Sequence, residues 1–215
     1  MLLTNQLIGF GVSRIPAVLS YLQTSSSTLD SSGTVTISSQ NFGAAAVDRY
    51  IFCGLTWSSD GDGYTLDSAT IGGVSATIHV QNEDGVAIGY GSAIISAPVP
   101  SGTSGDIVLT FNQASISVRA HAYRVTGLSS QTEFDTDTDD DDIVSMSLNI
   151  PFGGFTLGCA SFSSTNAITT TGLTEDFDTS GEVSGSSSDL AIETGRTISF
   201  NGGTGDAAGA CASFR

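Results

Sequence analysis

Six carboxylates crowd into eight residues at Asp135-Thr-Asp137-Thr-Asp139-Asp140-Asp141-Asp142. Oxygen-rich clusters are what Ca²⁺ seeks. Calcium loops, however, disperse their ligands around a glycine-bearing turn, which this run lacks. Like charges packed this closely ordinarily remain in solvent, so the run is expected to be a solvated acidic loop. A second cluster, Asp60-Gly-Asp62-Gly63 with Asp67 just beyond, has the glycines but no glutamate at the closing position. A glycine turn is the expectation there, with Asp60, Asp62 and Asp67 as weak calcium candidates and no cofactor expected.

His79 and His121 are the only histidines. Both lie in strand-like patterns, and neither neighbours a Ser, Cys or Asp arrangement suited to nucleophilic catalysis. The chain has no Gly-x-Ser-x-Gly elbow, no His-Glu-x-x-His and no phosphate loop. A carboxylate pair for glycoside hydrolysis is not singled out among 22 acids. The expectation is a non-enzyme. Trp57, Tyr64 and Tyr90 are aromatics that could stack on sugar rings. Trp57 closes an apolar strand and reads as core, whereas Tyr64, in the glycine turn, is the better exposed candidate for glycan binding.

Charge narrows the partners. The chain carries 22 acidic and 6 basic residues, a formal net charge of -16. Every basic residue is an arginine. Phosphate backbones are bound by clustered Lys and Arg, so nucleic acid is not an expected partner, and anionic lipid is repelled as well. Within a nucleic-acid-filled particle such a protein belongs on the outside. Cys53, Cys159 and Cys211 each sit in an apolar stretch, an odd count with no zinc spacing, and read as buried free thiols.

These residues must be positioned by strands. The 215 residues fit one domain or two small ones. Alternating apolar runs recur between short polar breaks. They are Thr34–Ile37, Val47–Trp57, Ser68–Ile71 and Val74–Val80 around Gly72-Gly73, Val86–Ile95, Asp106–Phe111, Ser115–Val125, Ile143–Ile150, Phe155–Phe162, Leu173–Phe177, Leu190–Ile192, Thr197–Phe200 and Ala207–Phe214. Gly72-Gly73 predicts a tight hairpin. The runs ending at Phe111 and Val125 read as a pair, the second with Ile116, Val118, Ala120, Ala122 and Val125 on one face. Ser117, Arg119, His121 and Tyr123 fall on the other face. These runs, roughly a dozen strands, predict an all-β fold: a two-sheet antiparallel β-sandwich, jelly-roll or Ig-like, over 25–215. Ile51–Ser59 faintly echoes Leu157–Ser164, which similar packing demands on two central strands explain better than a repeat.

Residues 1–24 precede this pattern. They are apolar with one charge, Arg14. Thr4, Asn5 and Gln6 break the run that a secretory signal needs, and Gly9, Gly11, Arg14 and Pro16 argue against a membrane span. The segment reads as an extended docking arm with Leu2, Leu3, Leu7, Ile8, Phe10 and Ile15 as anchors. The alternatives are a first strand of the chain's own sheet or a short helix over 13–22.

Asn5-Gln-Leu-Ile-Gly-Phe-Gly11, Thr70-Ile-Gly-Gly-Val-Ser-Ala-Thr77, Pro100-Ser-Gly-Thr-Ser-Gly-Asp-Ile-Val-Leu-Thr-Phe111 and Ala120-His-Ala-Tyr-Arg-Val-Thr-Gly-Leu128 resemble segments of virion structural proteins of tailed phages and gene transfer agents of marine and alphaproteobacterial hosts. The likeness spans about residues 1–130 and is one of sequence style rather than motif. It implies a protein of the virion exterior, a decoration (cement) protein or a head- or tail-attached spike. Its partners would be a major capsid protein or tail protein and sister subunits. A host-glycan-binding module or an adhesin is the alternative.

Overall fold

The computed structural model describes residues 15–30, 32–85, 89–114, 116–164 and 166–215, which form 17 strands and no helix. The first half contains β1 (Val18–Asp30), β2 (Thr34–Asn41), β3 (Tyr50–Ser59), β4 (Leu66–Ile71), β5 (Val74–Ser75), β6 (Thr77–Glu83), β7 (Tyr90–Pro98), β8 (Ser104–Phe111) and β9 (Ile116–Thr126). The second contains β10 (Asp135–Asp139), β11 (Ile143–Ile150), β12 (Gly154–Phe162), β13 (Thr169–Thr171), β14 (Thr174–Thr179), β15 (Glu182–Asp189), β16 (Glu193–Asn201) and β17 (Ala207–Phe214). Sheet 1 has the order β1-β9-β3-β7-β6 and sheet 2 the order β2-β8-β4-β5. Sheet 3 has the order β10-β17-β12-β15-β14 and sheet 4 the order β11-β16-β13.

In each half, the first strand pairs with the last, the second with the next to last, and the third with the strand inside that. These pairs are β1 with β9, β2 with β8 and β3 with β7, then β10 with β17, β11 with β16 and β12 with β15. All are antiparallel. Nested pairing of this kind is a long hairpin rolled over on itself, the jelly roll. The chain is therefore the all-β antiparallel sandwich its sequence predicts, built as two sandwiches of matching strand order. The echo between Ile51–Ser59 and Leu157–Ser164 falls on β3 and β12, the central strands of sheets 1 and 3. A duplicated architecture accounts for it better than coincidence of packing. β10, β13 and β15 escaped the sequence pattern because they are built mostly of Asp, Thr, Ser and Gly and carry little apolar alternation, and the run Leu190–Ile192 is the connection between β15 and β16 rather than a strand.

The Gly72-Gly73 hairpin forms as expected, with φ of 59° and 79°, the doubly positive turn that side chains resist. The chain then crosses at Ala76 from sheet 2 to sheet 1. The predicted pairing of the runs ending at Phe111 and Val125 does not occur. β8 lies in sheet 2 and β9 in sheet 1, because successive strands of a rolled hairpin change sheets. Residues 18–24, expected in the arm, belong to β1, which pairs with β9 from Val18 onward. The short helix over 13–22 is thus replaced by strand from Val18, where Leu19 and Tyr21 gain a core to pack on.

Three cores result. One lies between sheets 1 and 2, around Trp57, Phe42 and Leu109. Another lies between sheets 3 and 4, around Met146, Phe162 and Phe200. The third joins the halves face to face, sheet 1 on sheet 3. There Phe52, Phe155 and Phe214 meet with ring centroids 4.8–5.1 Å apart. β9 serves two cores at once. Ile116, Val118, Ala120 and Ala122 face the first, while Tyr123 and Val125 face the third, so Val125 sits on the opposite face from the one expected. Gly54 permits this approach: a Cβ there would lie 3.3 Å from the Cβ of Cys159. Trp57 is core, as read from sequence, and covers Gly91, where a Cβ would fall 2.0 Å from its ring. Arg49 is 1% exposed and donates to five backbone carbonyls, of Val99, Phe42, Gly43, Ser101 and Gly102, at 2.6–3.1 Å.

Candidate functional site

The acidic run is a strand, not a solvated loop. Alternate residues of a strand share a face, so the spacing of Asp135, Asp137 and Asp139 aligns three carboxylates along one side of β10. Each reaches the outer edge of β11. Asp139 accepts from the Ser145 amide at 2.5 Å, Asp137 from the Ser147 amide at 2.8 Å, and Asp135 from the Asn149 amide at 2.7 Å and its Nδ2 at 2.8 Å. Open strand edges invite unwanted pairing. Here carboxylates cover the edge of sheet 4 and tie it to sheet 3. Only Asp140, Asp141 and Asp142 are left in the connecting turn.

The other oxygen cluster is a turn closed from within. Asp60 accepts the Tyr64 hydroxyl at 2.8 Å, and Glu83 Oε1 accepts the Gly63 amide at 2.9 Å. Asp67 is exposed on β4. Among the described residues no group of three or more His, Cys, Asp or Glu is placed to hold a metal ion. Tyr64 is not the exposed aromatic it was expected to be. It is 5% exposed, and the Ala114 carbonyl, 2.6 Å from its hydroxyl, shares that one proton with Asp60. It lines a shallow cleft with Trp57, Gln81, Asn82 and Glu83, but both rings are too covered to stack on a sugar. The reason is topological: the turn folds back over the end of the first core.

The three thiols are buried and free, as expected. Burial pushes Cys159 up to about 12 and raises Cys53 and Cys211 strongly, which leaves them unreactive. Both histidines are buried between the halves. His79 stacks on Phe52 and bonds Ser96 at 2.8 Å and Glu133 at 3.1 Å. His121 contacts Thr24 through Nδ1 at 2.8 Å and Thr56 through Nε2 at 3.4 Å, and Thr56 donates to Glu182 at 3.1 Å. A neutral ring with its proton on Nε2 satisfies every partner. Burial, then the neighbouring Arg119, depress its pKa to about 3.

That network surfaces in a cleft of about 280 Å³ at one end of the seam between the halves. Its first-half wall is Ser58, Tyr90, Ser117 and Arg119, and its second-half wall includes Ser161, Ser163, Ser164, Ser180 and Glu182. Arg119 donates through Nε to Glu182 and lies over the Phe177 ring, 5.4 Å from its centroid. Among the described residues its Nη groups have no hydrogen-bond partner. Tyr90 was named from sequence. Arg119 was legible only as a polar residue on the second face of β9, and nothing near Glu182 marked it.

The opposite end of the seam is apolar. Phe134, Pro151, Phe152, Ile192 and Arg215 line a second cleft of about 280 Å³. Phe152 is 52% and Ile192 72% exposed. β12 links the two ends, nine residues or roughly 27 Å. Ile15 is 82% exposed and the chain passes beside this apolar end: the Ala17 amide donates to the Gly153 carbonyl at 2.9 Å, next to Phe152. Leu2, Leu3, Leu7, Ile8 and Phe10 lie outside the described residues. No helix among the described residues is long and apolar enough to cross a membrane. No protein-family model matches this chain, and no curated protein is significantly similar to it.

Proposed function

We propose that this protein is a non-enzymatic structural component of the exterior of a tailed-phage particle, a capsid decoration (cement) protein or a head- or tail-attached spike, docked through its N-terminal arm. The observation that carries the reading is the position of Ile15. Ile15 is the one anchor among the described residues, it is 82% exposed, and the chain two residues on bonds Gly153 beside the pole where Phe134, Phe152 and Ile192 are exposed. Clustered exposed apolar side chains on an otherwise hydroxyl-rich, acidic surface mark a contact region. A capsid or tail protein, or a sister subunit, would meet arm and pole together, and repetition around a particle would add avidity to a weak single contact. A net charge of -16 favours the outer surface over the nucleic-acid-facing one. Jelly rolls serve in both viral capsids and lectins, so the fold supports the reading only by analogy.

The test uses particles stripped of this protein. Full-length chain should co-sediment with them. Chain lacking residues 1–14, and the surface variants Phe152→Glu and Ile192→Glu, should stay in the supernatant while retaining the wild-type unfolding transition. Equal binding by all four proteins would refute docking at this pole.

A further inference from the structure

We propose that the polar cleft at the far end of the seam is a binding site for a neutral saccharide, one sugar ring deep. Both halves build its walls, so it exists only because the two sandwiches pack against each other. Its residue types suit a polyol. Ser161 is spent on the Trp57 carbonyl, but the hydroxyls of Ser58 and Ser180, one on each wall, can donate or accept, matching the exchangeable hydroxyls of a sugar. Tyr90 is half-buried at the rim and offers the aromatic face that Tyr64 does not.

Arg119 and Glu182 supply the directional contacts. Glu182 holds the guanidinium by Nε and is itself held by Thr56, so the pair is fixed before a ligand arrives. The Nη groups of Arg119, whose side chain is 31% exposed, bond no described residue and are free to donate to a ligand. Because Glu182 neutralises Arg119 inside a chain of net charge -16, an anionic ligand is disfavoured and an uncharged one is not. The volume lies at the small end of ligand pockets, which fits a terminal sugar rather than an oligosaccharide. The site faces away from the apolar pole, and its occupancy does not depend on what that pole contacts.

Protein-observed NMR of the full chain, titrated with glucose, galactose, N-acetylglucosamine and galacturonate, tests this. At least one neutral sugar should shift resonances of Tyr90, Arg119 and the serines of both walls, and bind more tightly than galacturonate. Tyr90→Ala and Ser180→Trp, the second filling the cleft from an exposed turn, should each weaken binding by about tenfold or more. Tyr64→Phe should leave it unchanged. No shifts with any neutral sugar, preference for galacturonate, or undiminished binding by Ser180→Trp would each overturn the proposal.

Discussion

Replacing Asp135, Asp137 and Asp139 together by alanine should destabilise the protein, although it removes three negative charges from a chain of net charge -16. The three carboxylates accept four hydrogen bonds from β11. A buried bond to a charged acceptor contributes about 1.5–3 kcal/mol. These bonds lie at an exposed edge, where water can replace the acceptor, and about 0.5–1 kcal/mol each is the reasonable value. The triple variant should therefore lose about 2–4 kcal/mol. At roughly 2–4 °C per kcal/mol for a domain of this size, its Tm should fall by roughly 4–16 °C. The control is Asp140→Ala, Asp141→Ala, Asp142→Ala, an identical change of charge at residues that make none of those bonds. Relief of repulsion should leave that control at or above wild-type stability. Calorimetry of both variants separates bonding from charge, and light scattering should detect association only where the β11 edge is uncovered. If the two variants unfold at the same temperature, the run is an acidic surface and the carboxylate ladder does not stabilise the fold.

Two further outcomes follow from buried groups. Arg49→Lys keeps the charge but has three donors for five carbonyls, so at least two are abandoned. Urea denaturation should show a loss of about 3–5 kcal/mol, with Arg49→Met losing more. His121 is held neutral, with its folded pKa at about 3 and thus below its unfolded value near 6.5. As pH falls below that value the unfolded chain takes up the proton first. The stability tied to the neutral ring is complete above about pH 6.5 and is lost towards pH 3, at up to about 1.4 kcal/mol per unit. His121→Gln removes this titration, so the stability gap between wild type and variant should narrow as pH drops from 7 to 4. Parallel pH profiles would mean that the ring is not buried neutral.

Much of the fold was legible because strands announce themselves through alternation. β2, β3, β9, β11 and β17 follow from the spacing of Val, Ile, Leu, Ala and Phe, and Gly72-Gly73 gave the hairpin at β4. What alternation cannot convey is which sheet a strand joins. β8 and β9 are adjacent in sequence and look like a hairpin, yet they lie in different sheets. β10 was missed because its alternation is carried by aspartates, whose partner is a row of amides rather than a hydrophobic core. The candidate sites fared likewise. Tyr90 was picked by type, but Tyr64 has the same chemistry and is buried, and only the folded turn distinguishes them.

Composition and local pattern alone determined that this chain is an acidic, lysine-free, all-β protein with buried thiols and an apolar N-terminal sequence, because those properties depend on side-chain type and on period-two spacing. Tertiary structure decided that there are two rolled sandwiches rather than one, that the aspartates seal an edge, and that Arg119 and Glu182 meet 63 residues apart. Those outcomes rest on contacts between distant strands. The energies that select them come from faces and edges that exist only once the sheets have packed.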